Sequence, residues 1–471
     1  MSSAYWTGFC FFATVAIALA GYSKRHFLYC FFLLAFACYE LLGPFLLLVQ
    51  RVAQIDFLQA LVPHQLEEQL SGPFEQAAGN LILLASLFVV SFAVSYAAAW
   101  RIVSPPSAGL TTFDYSGAIR FTFPRGGEAA ALLLVVFLAG LISMYNGDGA
   151  KLGADYYLAV QDVQELAERT AGTPISRALG LGVNLLPYAY TALIVGALYR
   201  RPSWVFASAV AMAPMIYELL QAGRRQYFVT ATAITLLALY YLVSVRRRAL
   251  ILIGCLAAIL ALSSYVFYGR ADYYSDVYAS QGWLSYLAVP ALSEFMGVSL
   301  ITSNALNILT SHQFDSGARL VSGLLDSLVP YAHLGTVATS LMAGVLRPFD
   351  SILIAPWGAF PVLAESYASF GILGSVLFGI ICGLVCALLH YALVSFQFKR
   401  VPLHITFWIM TVASLFLMKY RSGLLDFARS VIALTYLHLF IVSLFWGLRL
   451  LVRSAVVGTP ARGRRSGQMQ L

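Results

Sequence analysis

Apolar runs recur along the chain at about 4–21, 27–49, 80–100, 129–146, 178–199, 203–220, 226–244, 249–267, 369–395, 403–419 and 430–450. Each approaches the roughly 20 residues that a helix needs to cross a bilayer's hydrocarbon core. Few folds accept that pattern. A soluble domain of 471 residues cannot be 60% hydrophobic and 11% charged, because its surface would lack the charge that keeps it in water. A β-barrel would show short alternating segments, and the sequence has none. The expectation is an all-α polytopic membrane protein with about 11 transmembrane helices, or up to 13 if a further pair lies within 283–345. The first run has no basic segment before it and is followed by Lys24-Arg25-His26, so it reads as a retained helix rather than a signal peptide.

Charge orients the chain. Alternate connections carry Lys24 and Arg25; Arg101, Arg120 and Arg125; Arg200 and Arg201; Arg246, Arg247 and Arg248; Lys399 and Arg400; then Arg449, Arg453, Arg462, Arg464 and Arg465. These are 17 of the 29 basic residues, and only the acids Asp114 and Glu128 accompany them. Basic residues mark the cytoplasmic side, so the C-terminal tail is expected inside and the N-terminus outside. The chain then divides into spans over 1–267, a long outer segment at 268–368, spans over 369–450 and a cytoplasmic tail at 451–471. Within the outer segment, 283–309 and 320–346 are apolar enough to lie in the interface or dip into the bilayer. Gln65–Leu70 reads as part of an amphipathic interfacial helix. The net charge of +8 reports loop orientation and contact with anionic lipid, not nucleic acid.

Twelve basic residues are left for the outer side, against the charge rule. Arg224 and Arg225 stand together in a short turn between two spans, and Arg270, Lys419, Arg421 and Arg429 sit at helix ends. Arginine presents a fixed fork of donors that fits phosphate oxygens and keeps its charge. A charge at membrane depth is costly and is usually paired or functional. The plain alternative is snorkelling to headgroups or pairing with nearby acids. Glu294 and Glu365 border apolar stretches, where desolvation suits a general base; each can equally serve as a counter-ion, and Glu365 as a helix-terminal charge. His312 and His333 can act as base or sugar partner, or simply be solvated. Glu40, beside Gly43-Pro44, is one of the few charges inside a span; it can line a cavity, or pair and pack. The six cysteines all fall in apolar runs, which argues against a disulfide framework. No metal-ligand spacing and no phosphate-cradling glycine loop occurs, so neither a metal nor another cofactor is expected.

Several of these stretches resemble bacterial O-antigen or oligosaccharide repeat-unit polymerases of the Wzy type. The resemblance rests on Gly223-Arg224-Arg225, Ser293-Glu294-Phe295, Phe314-Asp-Ser-Gly317-Ala318, Leu324–Pro330 and Ala364-Glu365-Ser-Tyr-Ala-Ser-Phe370-Gly371-Ile-Leu-Gly374. Gln226 follows the paired arginines where such polymerases often have a small residue, which leaves open which arginine is equivalent. The resemblance implies a fold similar to the C superfamily of membrane glycosyltransferases in the bacterial inner membrane. It implies transfer of a growing glycan from undecaprenyl diphosphate to a lipid-linked repeat unit at the periplasmic face, independent of metal and nucleotide. A flippase and a chain-length regulator would be partners. Arg224, Arg225, Arg270, Arg319 and Arg421 would hold the diphosphate, and Glu294, Glu365 or His312 would take the acceptor proton. The rivals are an O-antigen ligase, which shares the donor, and a lipid-linked sugar flippase, which would carry more charge inside its spans.

Overall fold

The computed structural model describes residues 2–53, 64–103, 127–146, 186–198, 200–222, 233–238, 240–241, 283–309, 314, 317–328, 360–395 and 402–457. Among them every regular element is helical. The order is α1 (Ser2–Ser23), α2 (Phe27–Phe36), a π-helical turn (Ala37–Leu42), α3 (Gly43–Ala53), α4 (His64–Val103), α5 (Gly127–Asn146), α6 (Leu186–Leu198) and α7 (Pro202–Ala222). There follow α8 (Trp283–Ile308), α9 (Ala318–Leu328), α10 (Val362–Phe370), α11 (Ile372–Ser395), α12 (Leu403–Met418), a 3₁₀ turn (Lys419–Ser422) and α13 (Leu424–Val457).

Among the described residues, six segments are long and apolar enough to cross a membrane: Tyr5–Ser23, Phe27–Gln50, Gly72–Val103, Ile372–Ser395, Leu403–Ser422 and Leu424–Val452. Gly127–Leu141 and Leu186–Ala197 are shorter apolar helices. The chain is thus an α-helical, multi-pass membrane protein. Its surface agrees: Trp6, Phe9, Leu373, Phe440 and Leu451 are each at least 60% exposed. In water such a surface would drive aggregation, whereas in a bilayer it faces lipid. The expected runs at 226–244 and 249–267 lie mostly or wholly outside the described residues.

Helix packing follows from small residues and rings. On α11, a Cβ at Gly383 would come within 2.5 Å of the Phe92 carbonyl on α4, and one at Gly379 within 2.7 Å of the Phe88 carbonyl. This four-residue spacing lets two membrane helices meet at backbone distance. Aromatic rings fill the rest. A ladder runs from Trp100 through Tyr96, Phe92 and Phe88 to Phe36 and Tyr420, with neighbouring centroids 5.0–6.4 Å apart. At the Trp100 end, His26 and His390 join the stack, so the Lys24–His26 connection shares one end of the bundle with the ends of α4 and α11. Two connections have the same geometry. Arg25 and Arg200 hold φ of 65° and 53°. His26 N–H returns to the Gly21 carbonyl and Arg201 N–H to the Gly196 carbonyl, which closes a Schellman turn after α1 and after α6.

Some expectations change in detail. Gln65–Leu70 is the first part of the 40-residue α4, not a separate interfacial helix. Pro73 does not end that helix, and its carbonyl accepts from the Asn307 amide at 2.9 Å. In the second half of α8, Val298, Ser299, Ile301, Thr302 and Ser303 are buried in the bundle. The last span starts at Leu424 rather than near 430, and Gly371 splits α10 from α11.

Candidate functional site

The turn Lys419–Gly423 joins α12 to α13 at the end of the bundle opposite His26. Gly423 holds φ of 97°, a conformation open essentially to glycine, and its carbonyl accepts from Phe427 N–H to begin α13. The first backbone N–H groups of a helix lack internal partners. Here Glu365, reaching across from α10, supplies them. Its Oε2 accepts from Leu424 N–H at 2.6 Å and Leu425 N–H at 3.3 Å. The carboxylate also complements the positive end of the α13 dipole. The fit explains the glycine twice over: a Cβ at 423 would meet Glu365 Oε2 at 2.6 Å and the Phe360 carbonyl at 2.7 Å.

A second buried carboxylate holds the same turn from within the bundle. Glu40 is fully buried on the π-helical turn, and its Oε1 accepts from the Tyr420 hydroxyl at 2.9 Å. Lys419 pairs with Asp426 of the first turn of α13 at 2.6 Å. Arg421 is half-buried between these two anchors.

Arg319, on the first turn of α9, completes the neighbourhood. Its guanidinium lies 4.5 Å over the Phe360 ring, and the Phe360 carbonyl approaches Gly423. Its Nη1 is buried and has no hydrogen-bond acceptor among the described residues. A buried guanidinium nitrogen without an acceptor is costly, and a site built to receive an anion has that form. Two glycines with positive φ place this arginine. A Cβ at Gly317 would strike the Phe370 ring at 2.6 Å, and one at Gly371 the Phe314 ring at 2.7 Å. Phe314 and Gly317 therefore lock against Phe370 and Gly371, each ring covering the other's glycine. Tyr367 packs edge-on to Phe314, and burial raises its phenol pKa. Arg429 donates from Nε to the Gly323 carbonyl at 3.3 Å and Tyr436 from its hydroxyl to the Leu328 carbonyl at 2.6 Å, which fasten α9 along α13.

The candidate residues thus divide. Glu365 touches the turn that carries Arg421, and Arg319 packs on Phe360, whose carbonyl approaches Gly423 of that turn. Glu294 is on α8, but its side chain lies outside the described residues, as do Arg224, Arg225, Arg270, His312 and His333. Glu365 is 1% exposed and its Oε2 accepts from helix amides, so it caps α13. Its own helix is not the one it caps. Lys419 and Arg429 are engaged with protein partners. Residues not foreseen as parts of the site are Tyr420, Phe360 and Gly423. Glu40, as one of the few charges inside a span, was the signal that pointed to its partner Tyr420. No known protein family, characterised protein or solved structure matches the chain.

Proposed function

We propose that this chain is a membrane glycosyltransferase that polymerises undecaprenyl-diphosphate-linked repeat units of a surface polysaccharide such as O-antigen. The face bearing Lys419–Gly423 is the periplasmic one, and Arg319 and Arg421 bind the donor's diphosphate. The observation that carries this reading is the buried Arg319 Nη1 with no acceptor among the described residues, near a basic turn that is fixed in place. Glu365 already fills the N-terminus of α13, so the anion would bind on the arginine side rather than at the helix dipole. Fixed cations there can stabilise the charge that develops on a departing lipid diphosphate. The charge bias of the connections supports the periplasmic assignment. Arg224, Arg225 and Arg270 are proposed as further cations of the same site, and Glu294 or His312 as the base that takes the acceptor hydroxyl proton.

The test is a gel of surface glycan from cells that depend on this chain. Arg319→Ala with Arg421→Ala should leave the protein in the membrane and yield lipid A bearing one repeat. Long-chain glycan at wild-type amounts would sink the diphosphate site. Lipid A with no glycan would indicate a ligase, and repeats trapped inside the cell a flippase.

A further inference from the structure

We infer that Glu40 is a positioning residue for this anion site, acting through the Tyr420 hydroxyl; the inference rests on the diphosphate reading above. Glu40 is fully buried and Tyr420 is 1% exposed, so neither is placed to touch a substrate. The contact between them is nonetheless built by three separate elements. The helix that runs on from α2 widens into a π turn over Ala37–Leu42, and Glu40 sits in it. Such turns insert a residue, disturb the regular ladder and recur at functional sites. The disturbance is compensated from α8, where the Ser299 hydroxyl donates to the Tyr39 carbonyl at 2.7 Å. The Tyr420 ring is gripped by Phe32 and Phe36 edge-on, both at 5.7 Å, and by Tyr39 stacked at 6.1 Å. That leaves one polar atom of Tyr420 to satisfy, and Glu40 Oε1 satisfies it.

A tyrosine between two cations is thereby pinned at ring and hydroxyl alike. Lys419 and Arg421 flank it, and Glu365 fixes the turn's other side at Leu424 and Leu425. The turn cannot shift without breaking one of the two carboxylate contacts. A buried carboxyl in a span is expensive, and a purely packing role would be met as well by an apolar residue. The position of Arg421 relative to Arg319 is what the expense secures.

The test uses the full chain in lipid nanodiscs, with inorganic pyrophosphate as probe and hydrogen exchange across residues 419–425 as a readout of the turn. Tyr420→Phe and Glu40→Leu should each speed exchange in that segment and weaken pyrophosphate binding about tenfold, the scale of one lost buried hydrogen bond. Combining them should add little, because both remove the same contact. Glu40→Gln keeps an acceptor oxygen and should restore both readouts to near wild type. Unchanged exchange in Tyr420→Phe overturns the inference, and so does a loosened turn that binds pyrophosphate like wild type. Arg319→Ala and Arg421→Ala separate the two levels. If they weaken binding while Tyr420→Phe does not, only the positioning role fails. If they too bind like wild type, the diphosphate reading fails with it.

Discussion

At the scale of single residues, Gly423 and Glu365 form one unit, and each predicts the cost of losing the other. Gly423→Ala places a methyl against a carboxylate oxygen and a carbonyl in a backbone region that L residues avoid. The expected loss is about 3 kcal/mol of stability, summing strain and overpacking, read by denaturant or thermal unfolding in detergent. Glu365→Gln should cost only about 0.3–1 kcal/mol, the charge part of a helix cap, with activity retained. An inactive but fully stable Glu365→Gln would indicate the proton-acceptor role. At the other end of the bundle, burial and then Lys24 push the His26 pKa down to about 4, while Tyr96 contacts its Nδ1 at 2.8 Å. An unfolded histidine takes its proton near pH 6.5. Between these values the unfolded chain binds a proton that the folded chain refuses, so stability falls as pH drops from about 6.5 towards 4. The slope is at most about 1.4 kcal/mol per pH unit for this one group. Melting curves should show that the pH dependence over this window shrinks in His26→Gln.

At the scale of elements, the sequence was most legible where one rule acts alone. Length and apolarity located the cores of α1, α2, α4, α11, α12 and α13, because crossing a bilayer constrains little else. Ends were less legible, since tertiary partners set them. α13 starts at Leu424 because a carboxylate 59 residues away caps it. α4 runs on past Gly72-Pro73, where its polar first turns had suggested a helix apart. Two of the quoted strings meet in space: Phe314 covers Gly371 and Phe370 covers Gly317. No linear pattern announces that exchange. The α4–α11 contact was equally hidden, because glycine at four-residue spacing specifies a close approach but not a partner. It yields a clean prediction. Gly383→Leu cannot be accommodated against the Phe92 carbonyl and Tyr96 N–H, 2.5 and 3.0 Å from its Cβ. It should destabilise the fold by about 3 kcal/mol or more, read as lost thermal stability and poor membrane accumulation. Leu384→Ile, one residue on and 42% exposed, should have little effect.

For the whole molecule, the question is which end faces out, because the same site would do different chemistry on each side of the membrane. The bundle has two distinct ends. One gathers Arg25, His26, Trp100, Arg101 and His390, and the other gathers Glu40, Arg319, Glu365 and the Lys419–Gly423 turn. The charge rule puts the first in the cytoplasm. That assignment breaks the rule locally, for it leaves Lys419, Arg421, Arg429 and Arg319 outside. The structure relieves part of the conflict. Lys419 is neutralised by Asp426, and Arg429 is spent on a helix carbonyl. Arg319 keeps a buried donor with no protein acceptor among the described residues, as expected of a cation retained for a ligand. Cysteine labelling in intact cells decides the matter. Ser422→Cys, in the turn, should react with a membrane-impermeant maleimide added outside. Ser454→Cys, exposed near the far end of α13, should react only after the cells are permeabilised. Cys10, Cys30, Cys382 and Cys386 are buried, and half-buried Cys38 and Cys255, which lies outside the described residues, are replaced by serine before labelling. The reverse pattern would place the arginines in the cytoplasm, remove the periplasmic polymerase from consideration, and require the charge bias of six connections to be explained anew.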